Sequence, residues 1–270
     1  MVAQHPAKVY YPDSDGQPMA DNTKQFRWIV TIKENIDLLF AADPNVFVAG
    51  DLLWYPVEGE NTIRNAPDTM VVFGRPKGDR GSYQQWKEDS IPPQVVFEIL
   101  SPGNRMGEME RKRQFYERYG VAEYYIYDPD RLDFSGWIRS GAQLVSISQR
   151  EGSANEAIDN WVSPQLGIRF VINQGEELII YRPDGEKFIG FGELDELRRI
   201  QQRRADNAEL RADKAEREAI AARQETERLA TRLRELGIEP WCLGAITSVV
   251  LIVGVMERSK RWLCLLSIGF

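Results

Sequence analysis

Apolar residues recur at steps of three and four positions early in the chain, the spacing that places them on one face of a helix. These residues are Ile29, Ile32, Ile36 and Leu39. The pattern predicts an amphipathic helix over residues 26–41. The turn-forming residues Asp43, Pro44 and Asn45 come next and favour its termination.

Four short apolar runs predict buried strands, and they lie at residues 46–55, 70–73, 94–100 and 122–127. A second helix, predicted over residues 106–119, separates the last two strands and is closed by Gly120 at its C-cap. Alternating residues around Gly141 predict a hairpin of residues 134–139 and 143–147. The order of helix, three strands, helix and strand predicts an α/β domain with a mixed central sheet of at least four strands.

Residues 191–236 are rich in Glu, Arg, Ala and Leu, which predicts one long helix. Its second half keeps a three-and-four spacing of small and apolar residues, namely Ala219, Ala222, Thr226, Leu229, Leu233 and Leu236. This spacing is typical of a coiled coil. The alternative is a single solvated helix with ion pairs four residues apart. We expect a homodimer, because an isolated helix of this composition gains little stability without a partner.

The end of the chain has a different pattern, since residues 241–256 contain no charged side chain. A run of 16 is short for a bilayer span, which usually takes about 20 apolar residues. Basic residues follow it, as they do on the cytoplasmic side of a membrane anchor. The alternatives to a membrane contact are a helix packed on a partner and a non-native extension. The expected localisation is therefore cytoplasmic, or membrane-anchored through this tail.

The composition restricts which side chains could bind a metal or catalyse a reaction, because the chain has one His and two Cys in 270 residues. A structural zinc site takes about four nitrogen or sulfur ligands, so a Cys- and His-rich zinc site is excluded. A catalytic triad would depend on His5, close to the N-terminus. Catalysis, if present, must therefore rest on carboxylates and lysines.

Two carboxylates stand out because of their position relative to the strands. Asp68 immediately precedes the strand at residues 70–73, and Glu98 lies inside the apolar run at residues 94–100. An ionised acid in a buried strand is costly unless it is paired or binds a metal. For Glu98 alone, a side chain on the open face of the sheet is the favoured interpretation. Consecutive strands are usually neighbours, so the two acids together can hold one Mg²⁺.

The helix at residues 106–119 supplies the basic group, since it carries Arg111, Lys112 and Arg113 in succession. Lys112 shares a side of the helix with Phe115 and Tyr116, three and four positions later, and so leans toward the packed side. Its ammonium could then approach the two carboxylates. The alternative is a solvated basic helix face.

These residues carry a resemblance to a known family. The sequence resembles the PD-(D/E)XK nuclease superfamily and, more closely, the Uma-two-type family of restriction endonucleases, over roughly residues 25–190. The blocks that carry it are Pro67-Asp68, residues 96–102 (VFEILSP), residues 112–116 and residues 119–129. The resemblance implies a restriction-endonuclease-like core of order αβββαβ.

The same resemblance implies a metal-dependent phosphodiesterase in which Asp68 and Glu98 bind Mg²⁺ or Mn²⁺. The superfamily places a lysine two residues after the glutamate, but that position is Leu100 here. Lys112 is the position that matches this role from the following helix. Glu34 and Asp51 are candidates for an additional acid near the metal, and each could equally be a solvated residue.

The first functional hypothesis is an endonuclease that hydrolyses phosphodiester bonds of nucleic acid, with DNA as the expected substrate and RNA as an alternative. The candidate phosphate-binding residues are Arg105, Arg111 and Arg113, together with the loop residues Arg75, Lys77, Arg80 and Lys87. The charge of the domain opposes this hypothesis, because residues 1–189 hold 28 acids and 20 bases, a net charge of −8. The second hypothesis is an inactive nuclease-fold scaffold that assembles through its C-terminal helix.

The sequence thus predicts four regions. A flexible N-terminus covers residues 1–25, and the nuclease-like domain covers residues 26–190. The charged long helix covers residues 191–236, and the apolar tail covers residues 237–270.

Overall fold

The computed structural model describes residues 9–103, 106–149 and 158–237. Among them, residues up to Asp195 belong to one compact unit and residues from Glu196 onward to a second. The apolar tail from residue 238 onward, with its predicted membrane contact, lies outside the described residues. Within the described ranges, no helix is both long enough and apolar enough to cross a bilayer.

The first unit contains two α-helices and ten strands in the described ranges, and a third α-helix begins at its end. In chain order the elements are α1 (Thr23–Leu39), β1 (Val46–Ala49), β2 (Trp54–Tyr55), β3 (Thr69–Phe73), β4 (Tyr83–Gln84), β5 (Val95–Ile99), α2 (Met106–Arg118), β6 (Glu123–Asp128), β7 (Asp133–Ser140), β8 (Gln143–Ser146), β9 (Arg169–Val171), β10 (Ile179–Tyr181) and α3 (Phe191–Glu235).

Six strands form the central sheet, in the order β1-β3-β5-β6-β7-β8. The β5–β6 pair is parallel, and every other pair in this sheet is antiparallel. The parallel pair needs a crossover, and α2 provides it between β5 and β6. The predicted mixed sheet and the order αβββαβ are confirmed, as is the β7–β8 hairpin.

The helices α1 and α2 cover opposite faces of this sheet. Trp28, Ile29 and Ile32 of α1 belong to one core cluster with Val95 and Phe97 of β5. The second cluster contains residues of opposite parity on the strands, such as Val96, together with Tyr116 of α2. Because successive strand side chains point to opposite faces, Glu98 must lie on the α2 face with Val96.

The single strand predicted over residues 46–55 is wrong. β1 ends at Ala49, and β2 pairs in parallel with β4 in a separate two-stranded sheet. Asp51 between them has φ of 49°, in the left-handed region, which interrupts an extended strand. A Cβ on Gly50 would lie 3.4 Å from the backbone oxygen of Asp68, so the chain passes close to β3 at this point.

The N-terminal segment, whose flexibility stays a prediction, contacts the rest of the domain where it is described. The ring of Tyr11 packs against Tyr55 and Trp86, with centroids 5.2 and 4.9 Å apart. The hydroxyl of Tyr55 donates a hydrogen bond to the backbone oxygen of Pro12 at 2.7 Å. These contacts attach residues 11–12 to the region around β2.

The long helix predicted from the sequence is present as α3, which is 45 residues long and has no buried residue. Its apolar side chains include the exposed Leu197, Leu210 and Leu229. The helix therefore carries an apolar surface that it does not cover itself.

Candidate active site

Asp68 and Glu98 lie opposite each other on neighbouring strands. The antiparallel register pairs Thr69 with Phe97, and one further step along it sets Asp68 opposite Glu98. The Oδ2 atom of Asp68 accepts a hydrogen bond from the backbone N–H of Ile99 at 2.6 Å. The two residues are only 8% and 2% exposed, so the carboxylates are buried together.

α2 supplies two polar groups to Glu98. The Nζ atom of Lys112 donates to Oε2 at 2.7 Å, and the hydroxyl of Tyr116 donates to Oε1 at 2.5 Å. Residues four apart lie on the same face of a helix, so one face of α2 reaches both oxygens. Glu98 is thus held in one orientation by two donors from α2.

Burial and mutual repulsion set the electrostatics of this cluster. Burial, and then the neighbouring charge of Glu98, raise the pKa of Asp68 well above its ordinary value, although Lys112 and the Ile99 N–H act in the opposite direction. Burial alone would lower the pKa of Lys112, but the charges of Glu98 and Asp68 outweigh it and raise that pKa. Lys112 is therefore a firmly protonated cation beside two acids.

Asp51 lies at the margin of the cluster. Its backbone N–H donates to the carbonyl of Pro67 at 3.0 Å, which fixes it beside the residue preceding Asp68. Burial raises the pKa of the Asp51 carboxyl, the charges of Asp15 and Glu98 add to this rise, and Lys112 opposes it. The structure thus brings Asp51 within electrostatic reach of Glu98 and Lys112.

Glu34 is placed differently. It lies on α1, on the face of the sheet opposite α2, and its Oε1 pairs with Lys33 at 3.0 Å. Its side chain is 47% exposed. The structure does not bring Glu34 into the Asp68–Glu98 cluster, since α1 and α2 lie on different faces.

The cluster offers two carboxylates to a metal ion, and no group of three or more His, Cys, Asp or Glu residues in the described ranges could hold one. Mg²⁺ is commonly bound by one or two carboxylates, with water and substrate oxygens completing its octahedron. Within the described part of the chain, Asp68 accepts a hydrogen bond only at Oδ2. Its Oδ1 and the remaining lone pairs of Glu98 are therefore a donor set that fits Mg²⁺ or Mn²⁺.

A groove of about 520 Å³ opens beside Lys112. Its charged lining residues are Arg64, Glu108, Arg111, Lys112 and Arg118. Four cations against one acid make this groove locally positive, in contrast to the domain as a whole. Arg64 comes from the loop before β3, whereas the other four belong to α2.

The remaining predicted phosphate-binding residues lie elsewhere. Arg113 forms ion pairs with Glu110 at 2.8 Å and Glu117 at 3.1 Å and lines a separate cavity of about 910 Å³ on the other side of α2. Arg105 lies outside the described residues. The structure therefore places Arg111, but not Arg113, in the groove beside Lys112.

The basic residues of the loop at residues 74–93 are largely engaged within the protein. Arg75 and Arg80 both pair with Glu88, at 2.9 and 2.7 Å. Lys77 pairs with Asp37 at 2.8 Å. These three side chains stabilise the loop and the helix near it, so they do not form a free phosphate-binding patch.

Sequence reasoning missed three residues of this region: Tyr116 as a donor to Glu98, and Arg64 and Arg118 in the groove. Tyr116 had a readable signal, because it lies one turn after Lys112 and must share its face. Arg118 is a further cation on the same helix. Arg64 had no such signal, since only the tertiary fold brings its loop to α2.

A mixed sheet with paired acids on adjacent strands, and a lysine from the crossover helix, is the arrangement expected of a restriction-endonuclease-like protein. The family model Uma2, described as "Putative restriction endonuclease", matches residues 14–163. This match covers more than half of the chain, and the chain belongs to this family. The resemblance read from the sequence is thereby confirmed.

Among solved structures, the chain is similar to the crystal structure of a "putative nuclease belonging to DUF820" from Anabaena variabilis ATCC 29413. The two are 13% identical, with a TM-score of 0.39, and the alignment covers 55% of this chain and 74% of that one. No curated protein matches the chain.

Proposed function

We propose that the protein is a Mg²⁺- or Mn²⁺-dependent endonuclease that hydrolyses phosphodiester bonds of DNA. Membership of a family of restriction-endonuclease type supports the nuclease class. The observation that carries the proposal is the convergence of Lys112 with the paired acids, with its Nζ 2.7 Å from Glu98. Replacing a buried ion pair with apolar residues is often neutral or stabilising, so a buried cluster of two acids and one lysine is a candidate functional site rather than a stabilising device.

In this proposal Asp68 and Glu98 would hold the cation. When bound, the ion supplies Lewis-acid stabilisation of the phosphate oxygens and lowers the pKa of water that it coordinates. Asp68 contributes through a carboxyl group whose pKa burial and Glu98 raise, so a cation beside it relieves a repulsion built into the fold. Asp51 is the nearest further acid and would support this charge balance from the margin.

Lys112 stays protonated and presents a fixed positive charge. As negative charge develops on the scissile phosphate, a preoriented ammonium stabilises it without having to reorganise. Lys112 also lines the open groove, so this residue joins the buried acids to the place where a phosphate would lie. Tyr116 holds the other oxygen of Glu98 and keeps the carboxylate from turning away from Lys112.

The groove beside Lys112 supplies the substrate interface. Arg64, Arg111 and Arg118 surround the lysine, and arginines bind phosphate oxygens in bidentate geometry. A nucleic-acid strand lying in the groove would meet local positive charge although residues 1–189 carry a net charge of −8. This local charge answers the main objection that composition raises, because phosphate contacts depend on nearby cations.

A cleavage assay tests the proposal. Purified full-length protein is incubated with supercoiled plasmid DNA, single-stranded DNA or RNA, each with Mg²⁺, Mn²⁺ or EDTA. We expect metal-dependent nicking of DNA that Asp68→Ala and Glu98→Ala abolish and that Glu186→Ala, a change at an exposed acid in a distant turn, leaves intact. Equal residual cleavage by the wild type and both site variants would indicate a contaminant and overturn the proposal.

The alternative is a catalytically inactive scaffold that assembles through α3. One observation favours it: both oxygens of Glu98 already have donors within the protein, from Lys112 and Tyr116. Calorimetric titration with Mg²⁺ separates the two functions. Binding that is lost in Asp68→Asn supports the enzyme, whereas the absence of any binding dependent on Asp68 and Glu98 supports the scaffold.

A further inference from the structure

An unbroken heptad pattern runs over residues 205–236, along one face of α3 to its end at Glu235 and on to Leu236 directly after it. The steps alternate between three and four, through Ala205, Ala208, Ala212, Ala215, Ala219, Ala222, Thr226, Leu229, Leu233 and Leu236. We call this row of ten residues the seam. A repeat of 3.5 residues is the period at which two helices stay in contact by supercoiling to the left.

The seam is exposed in the single chain. No residue of α3 is buried, and Leu229 and Leu236 are 53% and 70% exposed. The alanines leave room for a second helix to approach closely, and the leucines at the C-terminal end offer the larger apolar area. Packing of this face on a second helix would stabilise the 45-residue α3 further, because most helical stability in proteins comes from packing of the apolar face.

The charges beside the seam identify the occupant. In a parallel pair of helices in the same register, every second seam residue, beginning with Ala205, is preceded by a flanking residue. This flanking residue faces the residue five positions further on in the other helix. The pairs with two charged members are Arg204 with Glu209, Arg211 with Glu216, and Glu218 with Arg223, each formed twice, whereas Glu225 and Arg232 face the uncharged Ala230 and Gly237. All three combine opposite charges, so a second copy of the same chain complements the seam.

The antiparallel arrangement fails the same comparison. Full overlap of two antiparallel seams sets Arg204 against Arg232 of the other copy. It also sets Glu218 against Glu218 and Arg223 against Arg223 of the other copy, and its opposite-charge contact is Arg211 with Glu225, formed twice. Like charges at these flanking positions disfavour a pairing, so the charge pattern selects one orientation.

We propose that α3 pairs with α3 of a second copy as a parallel, in-register, two-stranded coiled coil along the seam from Ala205 to Leu236. Both copies of α3 then run in the same direction and enter the coiled coil at Ala205. The dimer is independent of catalysis, because it uses neither Asp68 nor any residue of the groove.

Charge-swapped full-length chains test the orientation. One variant carries Arg204→Glu with Arg211→Glu, and the other carries Glu209→Arg with Glu216→Arg. By sedimentation, we expect the wild type to have twice the chain mass of 31.0 kDa, each variant alone to be monomeric, and their equimolar mixture to be dimeric again. A monomeric wild type, a variant that dimerises alone or a mixture that stays monomeric would overturn the proposal.

Engineered cysteines test the register with a matched control. In a chain carrying Cys242→Ser and Cys264→Ser, Ala208→Cys places a thiol on the seam and Ala221→Cys places one outside it. A disulfide requires Cα atoms closer than about 7 Å, so in-register pairing should crosslink Ala208→Cys on the order of tenfold faster than Ala221→Cys. Equal rates, or crosslinking only of the Ala221→Cys chain, would contradict the proposed seam.

Discussion

The Nζ atom of Lys112 lies 2.7 Å from Oε2 of Glu98, although 14 residues separate them in the chain. Glu98 is 2% exposed and the Lys112 side chain 19% exposed, so the pair is largely withdrawn from water. The contact joins the central strand β5 to the crossover helix α2. It therefore links the fold and the candidate chemistry in one interaction.

Removing the cation of this pair should destabilise the protein. Lys112→Met leaves Glu98 buried without its countercharge, and breaking a buried pair in this way costs about 3 kcal/mol of unfolding free energy. Urea unfolding measures the loss. The double variant Lys112→Met with Glu98→Gln should recover most of it, because no buried charge remains; a single variant as stable as the wild type would refute the reasoning.

Tyr116→Phe should weaken both stability and catalysis. The change deletes a donor to a buried carboxylate, which costs about 1–2 kcal/mol, and frees Glu98 to rotate, which should lower cleavage by about tenfold. Tyr124→Phe is the matched control. Tyr124 is also fully buried on this face, but its hydroxyl has no hydrogen-bond partner in the described ranges. Equal effects of the two changes would contradict a positioning role for Tyr116.

The groove beside Lys112 should determine how DNA affinity depends on salt. Arg111→Gln and Arg118→Gln each remove one cation, so each should weaken binding and reduce the slope of log affinity against log salt by about 1. Fluorescence anisotropy across a salt series measures this slope. The control is Arg27→Gln on α1, which breaks a surface ion pair between Arg27 and Glu177 and should leave the slope unchanged. Slopes unchanged in the groove variants would exclude the groove as the phosphate interface.

Glu123 should make stability depend on pH. Burial raises the pKa of its carboxyl group, although Ser163, the Gln165 N–H and Tyr125 oppose the rise with hydrogen bonds. Because the pKa is raised in the folded state, the neutral carboxyl group of Glu123 contributes to the free energy of unfolding. This contribution is fully present below the unfolded pKa of about 4.3 and is lost as pH rises through the folded pKa. Urea unfolding at several pH values should show this loss in the wild type and a smaller one in Glu123→Gln. An identical pH dependence in both proteins would show that Glu123 is not the cause.

Much of the core was readable from the sequence because its signals are local. The helix spacing of Ile29, Ile32 and Ile36 and the apolar runs at β3, β5 and β6 determine which faces must be buried. The sequence indicated Asp68 and Glu98 as a pair because each acid adjoins or interrupts one of two consecutive predicted strands. These strands, β3 and β5, are antiparallel neighbours, and their register brings the two acids together.

What the sequence did not reveal depends on tertiary contacts. The break after β1 follows from the close approach of Gly50 to the backbone of Asp68 and from the left-handed conformation of Asp51, neither of which has a pattern along the chain. Arg64 reaches the groove only because its loop packs beside α2. Arg113 is a different case, because its pairing with Glu110 and Glu117 is readable from helical spacing.

The most direct test of the account is a crystal structure of the protein with Mn²⁺, located by its anomalous scattering. We predict one ion with oxygens of both Asp68 and Glu98 at about 2.1 Å, the distance typical of such hard octahedral cations, and with the Lys112 ammonium facing the same space. An ion that lacks a bond to Asp68 or to Glu98 would contradict the account. So would a site that stays empty at a Mn²⁺ concentration that supports cleavage.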